Sequence, residues 1–318
     1  MIGSGPTGSL LALSLASEDC NVVLIEPLSD SQLLSKDKGY AITQSSRNIF
    51  EYFGLWSNIK KFAVGFNSLS IIDDVISQSV LVRKSDLKNF NKDQSNIGWV
   101  VEHKNLMQLL IDRINCNKFI KKLNFDLTND ESFDFVLAAD GRESSARKKW
   151  QIKYFKNFYN QSCISFKAIL YGLPEKRAYE IFRHEGPLAL LPLSNNIYQV
   201  IWFASKIATE SKLKLSNKEL LEKLKSDLPD NVKPGKIIGE ISNFSIAKAF
   251  AFANIKNYKN ILVGDSAHSF HPVGGQGLNS CIRDVFELSS MIKNYENLSI
   301  PCRKFFGLKY FFNRLLDI

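Results

Sequence analysis

The chain opens on Gly3-Ser4-Gly5-Pro6-Thr7-Gly8, and no other feature constrains its fold as much. A GxGxxG that runs straight into Ser9-Leu10-Leu11-Ala12-Leu13-Ser14-Leu15-Ala16 is the turn from a buried strand into a helix. The glycines have separate tasks: Gly3 makes the tight turn, Gly5 lets the backbone approach a pyrophosphate, and Gly8 lets the helix pack closely on the sheet. The free N–H groups and positive dipole end of that helix then face the phosphates. Asn21-Val22-Val23-Leu24-Ile25-Glu26 follows as a buried parallel strand ending in an acid, and Glu26 is placed to accept hydrogen bonds from both hydroxyls of an adenosine ribose. Together these predict a dinucleotide site without choosing between FAD and NAD. Only Met1 and Ile2 precede Gly3, where a full strand is expected: either the start is placed late or the strand is lost, and the sheet then lacks its central element.

A second glycine-acid segment lies near the other end. Ile261-Leu262-Val263 reads as a short buried strand ending in Gly264-Asp265. Gly274, Gly275 and Gly277 then allow close backbone approach to a flat ring and start a helix. The whole run, GDSAHSFHPVGGQGLNSCIRD over residues 264–284, resembles the GD motif of the para-hydroxybenzoate-hydroxylase-like FAD monooxygenases, above all the ubiquinone-biosynthesis hydroxylases. The resemblance implies FAD as cofactor. It implies that Asp265 holds the ribityl hydroxyls and that the helix head faces flavin N1 and the C2 carbonyl, where negative charge collects on reduction. Gly264, Pro272, Gly275, Gln276, Gly277, Leu278 and Asn279 carry over as cofactor-binding positions.

Three further stretches match the same family. Asp140 and Gly141, with Ser144 and Arg147 after them, resemble its DG motif, which implies an aspartate near the FAD pyrophosphate and an arginine that steadies the loop. Lys38 stands where the family carries an FAD-contacting arginine; it keeps the charge and loses the bidentate fork. His103 replaces an arginine or asparagine at the head of the helix that touches the diphosphate, and residues 186–193 resemble the loop and strand at the substrate site. Connections around residues 115–132 are shortened, and the chain looks clipped at both ends against the family pattern.

The implied fold is α/β: a Rossmann-like, three-layer FAD-binding domain with a parallel sheet and helices on both faces, interleaved with an α+β substrate domain. The FAD-binding domain takes residues 1–64, 101–155 and 245–295, the substrate domain 65–100 and 156–244, and a C-terminal helix 296–318. Residues 162–170 and 197–203 alternate as strands of the substrate sheet. Residues 216–228 read as an amphipathic helix with its lysines outward, and the aromatic, basic tail over 303–316 as either an interfacial helix or one packed on the flavin domain.

By resemblance the chain is a monooxygenase in which NAD(P)H, as co-substrate, reduces the flavin and oxygen from O₂ is placed on the ring of a polyprenyl phenol in ubiquinone biosynthesis. Such chemistry needs no nucleophile and no metal. His271 and His184 read as structural or flavin-supporting rather than as a base, so no catalytic residue is assigned. The alternatives are another FAD monooxygenase or epoxidase of the superfamily, or a non-catalytic paralogue acting as a scaffold. Cys20, Cys116, Cys163, Cys281 and Cys302 include no CxxC pair, which sets aside a disulfide framework or zinc site. The net charge of +9 is spread too evenly for a nucleic-acid stripe, but suits an anionic membrane surface or a biosynthetic complex. No run reaches the roughly 18 apolar residues of a membrane span, so the expected location is cytoplasmic, or peripheral on the inner face of the membrane.

Overall fold

The structure, a computed structural model, describes residues 1–86, 95–123, 133–254, 256–271, 273–295 and 305–316. Pro272 and most of the shortened connection after residue 123 lie outside the described residues.

Valine, isoleucine and leucine runs bounded by turns build a parallel sheet in the order Ile120–Leu123, Val22–Ile25, Val136–Ala138, Asn260–Leu262. Its middle is closed by the first two residues. Ile2 forms parallel bridges to both Ile25 and Ala138. Its N–H donates to Leu137 O at 2.8 Å, and Gly3 N donates to Ile25 O at 2.9 Å. The expectation that the sheet lacks its central element is thereby corrected. The link runs both ways, since Ile25 N donates to Met1 O and Ala139 N to Ile2 O, each at 2.8 Å.

Leucine and isoleucine at helical spacing cover one face of this sheet. Leu11 and Leu15 from Pro6–Ala16, Met107 and Leu110 from His103–Asn115, and Ile282 and Val285 from Gln276–Lys293 share one core. The other face is covered differently from the predicted second helical layer. There Ala138, Ala146, Ala251 and Leu262 make a small cluster with Trp150 and Tyr154, so the short helix Ser145–Lys149 and the ends of two long strands lie close to the sheet.

Those long strands, Tyr154–Tyr171 and Lys233–Ala251, belong to an eight-stranded, mainly antiparallel sheet. They pair from Lys233 with Tyr171 to Ala251 with Tyr154. The predicted boundaries at 155/156 and 244/245 thus fall inside continuous strands. The predicted strands are Tyr154–Tyr171 and Ile197–Ser205, and the predicted amphipathic helix is Asn217–Lys225. It begins with a Ser216–Glu219 capping box, worth about 1 kcal/mol, and buries Leu220, Leu221 and Leu224 against the sheet.

A three-stranded sheet of Gly39–Ile42, Gly98–Glu102 and Val64–Phe66 joins the two regions. Gly39 N donates to Gln199 Oε1 at 3.0 Å, and Lys167 pairs with both Asp37 and Glu102. The tail helix Phe306–Leu316 buries Phe306, Tyr310 and Arg314, one residue per turn, and so packs on the parallel-sheet region. Among the described residues no helix is long and apolar enough to cross a membrane.

Candidate cofactor site

Three loops leave the same end of the parallel strands: the first glycine loop, residues 139–145 after Val136–Ala138, and the segment from Gly264 after Asn260–Leu262. That edge is where open α/β sheets bind ligands. A Cβ on Gly8 would lie 2.0 Å from Gly3 O, and one on Gly3, at φ +88°, would lie 2.7 Å from Ala139 O. Gly5 has no described atom within 4 Å of where its Cβ would stand. The outer glycines are therefore packed inside the fold and the middle one faces open space. Helix Pro6–Ala16 starts with proline and no side-chain cap, which leaves its first-turn amides available.

Glu26 is buried at the end of its strand. Its Oε2 accepts from Ser4 N at 2.7 Å and Ser4 Oγ at 3.2 Å, and Oε1 accepts from Leu28 N at 3.0 Å. The acid thus also shapes the glycine loop, a task that spacing alone did not show.

In the second loop Asp140 Oδ2 accepts from Ser145 Oγ and Ala146 N, both at 3.1 Å. Its Oδ1 is buried and has no hydrogen-bond partner among the described residues. Gly141 turns the chain at φ +82°. Arg147 donates from Nη1 to Ser266 O and from Nη2 to Arg142 O, each at 2.7 Å, and lies over the Tyr154 ring at 3.7 Å. It steadies not one loop but two, clamping the second to the third.

The third loop is held from behind. Gly264 N donates to Asp284 Oδ2 at 2.8 Å, and the same oxygen accepts from His268 Nε2 at 2.6 Å. Arg314 Nε donates to Asp284 Oδ1 at 2.5 Å. Burial pushes the Asp284 carboxyl up, but His268, Arg314 and the Gly264 amide overcome this and hold it below the usual aspartate value. Asp265 is partly exposed, 3.8 Å from Arg142 Nε, with Cys281 Sγ 3.7 Å from its Oδ1. Burial, and then Asp265 and Asp284, push the Cys281 thiol up, so it stays protonated.

Gly274 at φ +68° and Gly275 at φ +65° are consecutive left-handed residues that turn the chain onto the head of Gln276–Lys293. Asn279, buried in the first turns, donates to Ala41 O and Gly275 O, each at 2.7 Å, and accepts from Thr43 N at 3.0 Å. Gln276 is exposed and donates to Gly274 O at 3.4 Å, Gly277 has open space beside it, and Leu278 packs on the core.

Lys38 lies 4.9 Å over the Tyr40 ring. Burial and Lys36 lower its pKa to about 8, against the pull of Asp265. At His103, expected among the cofactor positions, both ring nitrogens have partners within the protein. Its Nε2 is 2.7 Å from Leu33 O and its Nδ1 is 2.7 Å from Tyr40 Oη. A carbonyl only accepts, so Nε2 carries the proton and Nδ1 accepts from Tyr40. Burial lowers the ring's pKa to about 4. Both nitrogens are engaged inside the fold, and His103 acts as a latch for the segments around Leu33 and Tyr40.

A cleft lined by Arg142, Phe244, Ile246, Asp265, Phe270 and Gly277 joins these loops to the large sheet. Beside it His271 Nε2 is 3.1 Å from Gln161 Oε1, with its ring against Tyr159 and Phe203. His184 lies apart, in an exposed turn. Sequence reasoning missed the roles of Asp284, His268, Arg314 and Gln161. One signal existed for Asp284: an acid between Ile282 and Val285, on the apolar face of its helix.

A family described as FAD binding domain matches residues 120–297, more than half of the chain. The chain belongs to this FAD-binding family. An uncharacterized protein of Synechocystis is 28% identical over 311 residues, covering 91% of this chain and 73% of that one. The ubiquinone hydroxylase of Rhodospirillum rubrum is 24% identical over 323 residues, covering 94% and 73%. Among solved structures, p-nitrophenol 4-monooxygenase of Pseudomonas putida superposes with a TM-score of 0.79 at 18% identity, covering 98% of this chain and 83% of that one, which establishes a shared fold. The residues present suit the family's cofactor: Gly5 opens a cradle that a side chain would fill, and Asp140, packed against Gly3 of the same loop, keeps a buried oxygen without a hydrogen-bond partner among the described residues.

Proposed function

We propose that this chain is an FAD-dependent monooxygenase that hydroxylates the ring of a polyprenyl phenol in ubiquinone biosynthesis, with NAD(P)H and O₂ as co-substrates. The observation that carries the FAD assignment is the convergence of the Gly5, Asp140 and Gly264–Asp265 loops on one edge of the parallel sheet. The Gly5 backbone and the first-turn amides of Pro6–Ala16 receive the pyrophosphate, Glu26 the ribose, and Asp140 Oδ1 a hydroxyl or bound water nearby. Asp265 would hold the ribityl chain, and the helix head at Gln276 would offer its positive end to the flavin. Lys38 adds positive charge.

When bound, FAD supplies hydride acceptance and the activation of O₂. The chain's residues orient the ring and exclude water, and Phe244, Ile246 and Phe270 give the cleft its apolar wall. His271, tied to Gln161, supports that wall. The name of the Rhodospirillum rubrum relative supports the substrate class.

The test is a visible spectrum of the purified chain, followed by NAD(P)H oxidation with and without a polyprenyl phenol and by mass analysis of the product. A yellow protein whose oxidation rate rises with the phenol, giving a product one oxygen heavier, is expected. A colourless protein that cannot be reconstituted with FAD overturns the assignment. A yellow protein indifferent to phenols overturns the substrate class alone.

A further inference from the structure

Five phenylalanines form a continuous ribbon across the ends of the two long strands and the tail helix, on the outer side of the pairing between Phe250 and His268. Phe155 and Phe250 are direct cross-strand partners, with ring centroids 5.4 Å apart. Phe250 meets Phe252 at 5.3 Å, Phe252 meets Phe311 of the tail helix at 6.3 Å, and Phe311 meets Phe312 at 5.4 Å. Three of these rings are wide open to solvent: Phe155 at 48%, Phe252 at 46% and Phe312 at 52%. Beside them an apolar cleft runs between Phe252 and Ala253 on one side and Gly307, Phe311 and Leu315 on the other, floored by Leu262. Single exposed apolar residues are ordinary, but a joined patch drawn from three elements marks an interaction surface.

Lysines border the ribbon. Lys248 is exposed two residues before Phe250, hence on the same strand face. Lys153 is exposed and its carbonyl accepts from Phe252 N at 2.9 Å, which sets it at the ribbon's edge. Lys256 and Lys309 are exposed at the tail-helix end. In a chain of net charge +9 this is apolar surface framed by cations. We infer that the ribbon docks the protein on an anionic lipid bilayer, with the rings entering the headgroup boundary and the lysines held at the phosphates. Lysine suits that place, since its stem lies along apolar surface while its ammonium stays at the polar level. Each lysine close to an anionic leaflet raises partitioning about fivefold. A second copy of the chain is the poorer occupant, because a two-fold contact would set the same lysines against one another. The inference stands on this surface and is independent of the activity proposed above.

The test is flotation of the full chain with vesicles of phosphatidylcholine alone and of phosphatidylcholine mixed with phosphatidylglycerol, at low and high salt. Binding to the mixed vesicles is expected to exceed binding to neutral ones by tenfold or more, on the order of what two lysines supply, and to fall with salt. Phe252→Glu with Phe312→Glu should abolish it while melting temperature and circular dichroism stay unchanged, since both rings are half exposed. Lys248→Glu with Lys309→Glu should weaken it at least tenfold. Wild-type protein that stays with the buffer in the presence of mixed vesicles overturns the inference, as does equal binding by the folded Phe252→Glu/Phe312→Glu variant. So does self-association that these substitutions break without any vesicle binding, which would assign the ribbon to a second copy.

Discussion

Arg314, in the last turn of the tail helix, donates Nε to Oδ1 of Asp284 at 2.5 Å, while Oδ2 of the same carboxylate holds the amide of Gly264. One buried carboxylate therefore serves both the tail helix and the loop that carries Asp265. The tail is thereby part of the site's support.

Asp284→Asn should be strongly destabilising. The carboxylate accepts from Gly264 N, His268 Nε2 and Arg314 Nε, and an amide must turn its own N–H₂ toward one of these donors. The buried ion pair between Asp284 and Arg314 loses its negative member, at a cost of about 3–5 kcal/mol. Denaturant unfolding measures this. Adding Arg314→Met should recover part of the loss, and strictly additive losses would show that the two residues are not coupled.

Two glycine substitutions should separate binding from folding. At Gly5 an added Cβ meets no described atom within 4 Å and φ is −61°, so Gly5→Leu should cost at most about 1 kcal/mol while filling the cradle and abolishing FAD binding. Gly8→Ala sets its Cβ 2.0 Å from Gly3 O and should destabilise the fold by about 3 kcal/mol or more. Melting curves beside flavin titrations distinguish the two; a Gly5→Leu protein with undiminished flavin would remove the cradle from the site.

Lys38 should make FAD affinity pH-dependent. Its pKa is lowered to about 8, and an anionic cofactor stabilises the charged form. The free protein loses this charge as pH rises through about 8, so affinity should fall between pH 7 and 9.5. Lys38→Arg should flatten that dependence, since arginine stays charged throughout. Fluorescence titration of FAD at the two pH values is the measurement.

His103 should make stability fall on acidification. Its folded pKa is lowered to about 4, whereas in the unfolded chain it takes a proton near pH 6.5. The unfolded state binds more protons in that window, so stability declines as pH drops from about 6.5 toward 4, by about 2 kcal/mol at pH 5. In His103→Asn this part of the slope should vanish, and an unchanged slope in the variant's unfolding curves would exonerate the residue.

Much of the frame was legible because its causes are local. The turns at Gly3 and Gly275, the β-branched strand over residues 22–25 and the Ser216–Glu219 cap each act within a few residues. The inner part of the strand Tyr154–Tyr171, over residues 162–170, and the helix after Ser216 follow from period alone. The central strand was misjudged because residue count is a poor guide to a ladder: Ile2 alone bridges Ile25 and Ala138. The partners of His103 were not legible for a different reason. Motif position puts it at a helix head, but Leu33 and Tyr40, far along the chain, consume both of its nitrogens.

The sequence by itself determined where the chain turns, which glycines must stay small and which strands end in the acids Glu26 and Asp265. Those are consequences of backbone sterics and hydrophobic period, which neighbours in the chain settle among themselves. Only the tertiary structure decided that Arg147 clamps two loops, that Asp284 joins the tail helix to Gly264, and that five phenylalanines from three elements meet on one surface. Hydrogen bonds and ring contacts of that kind depend on angle and distance across the folded chain, and spacing along it carries no record of either.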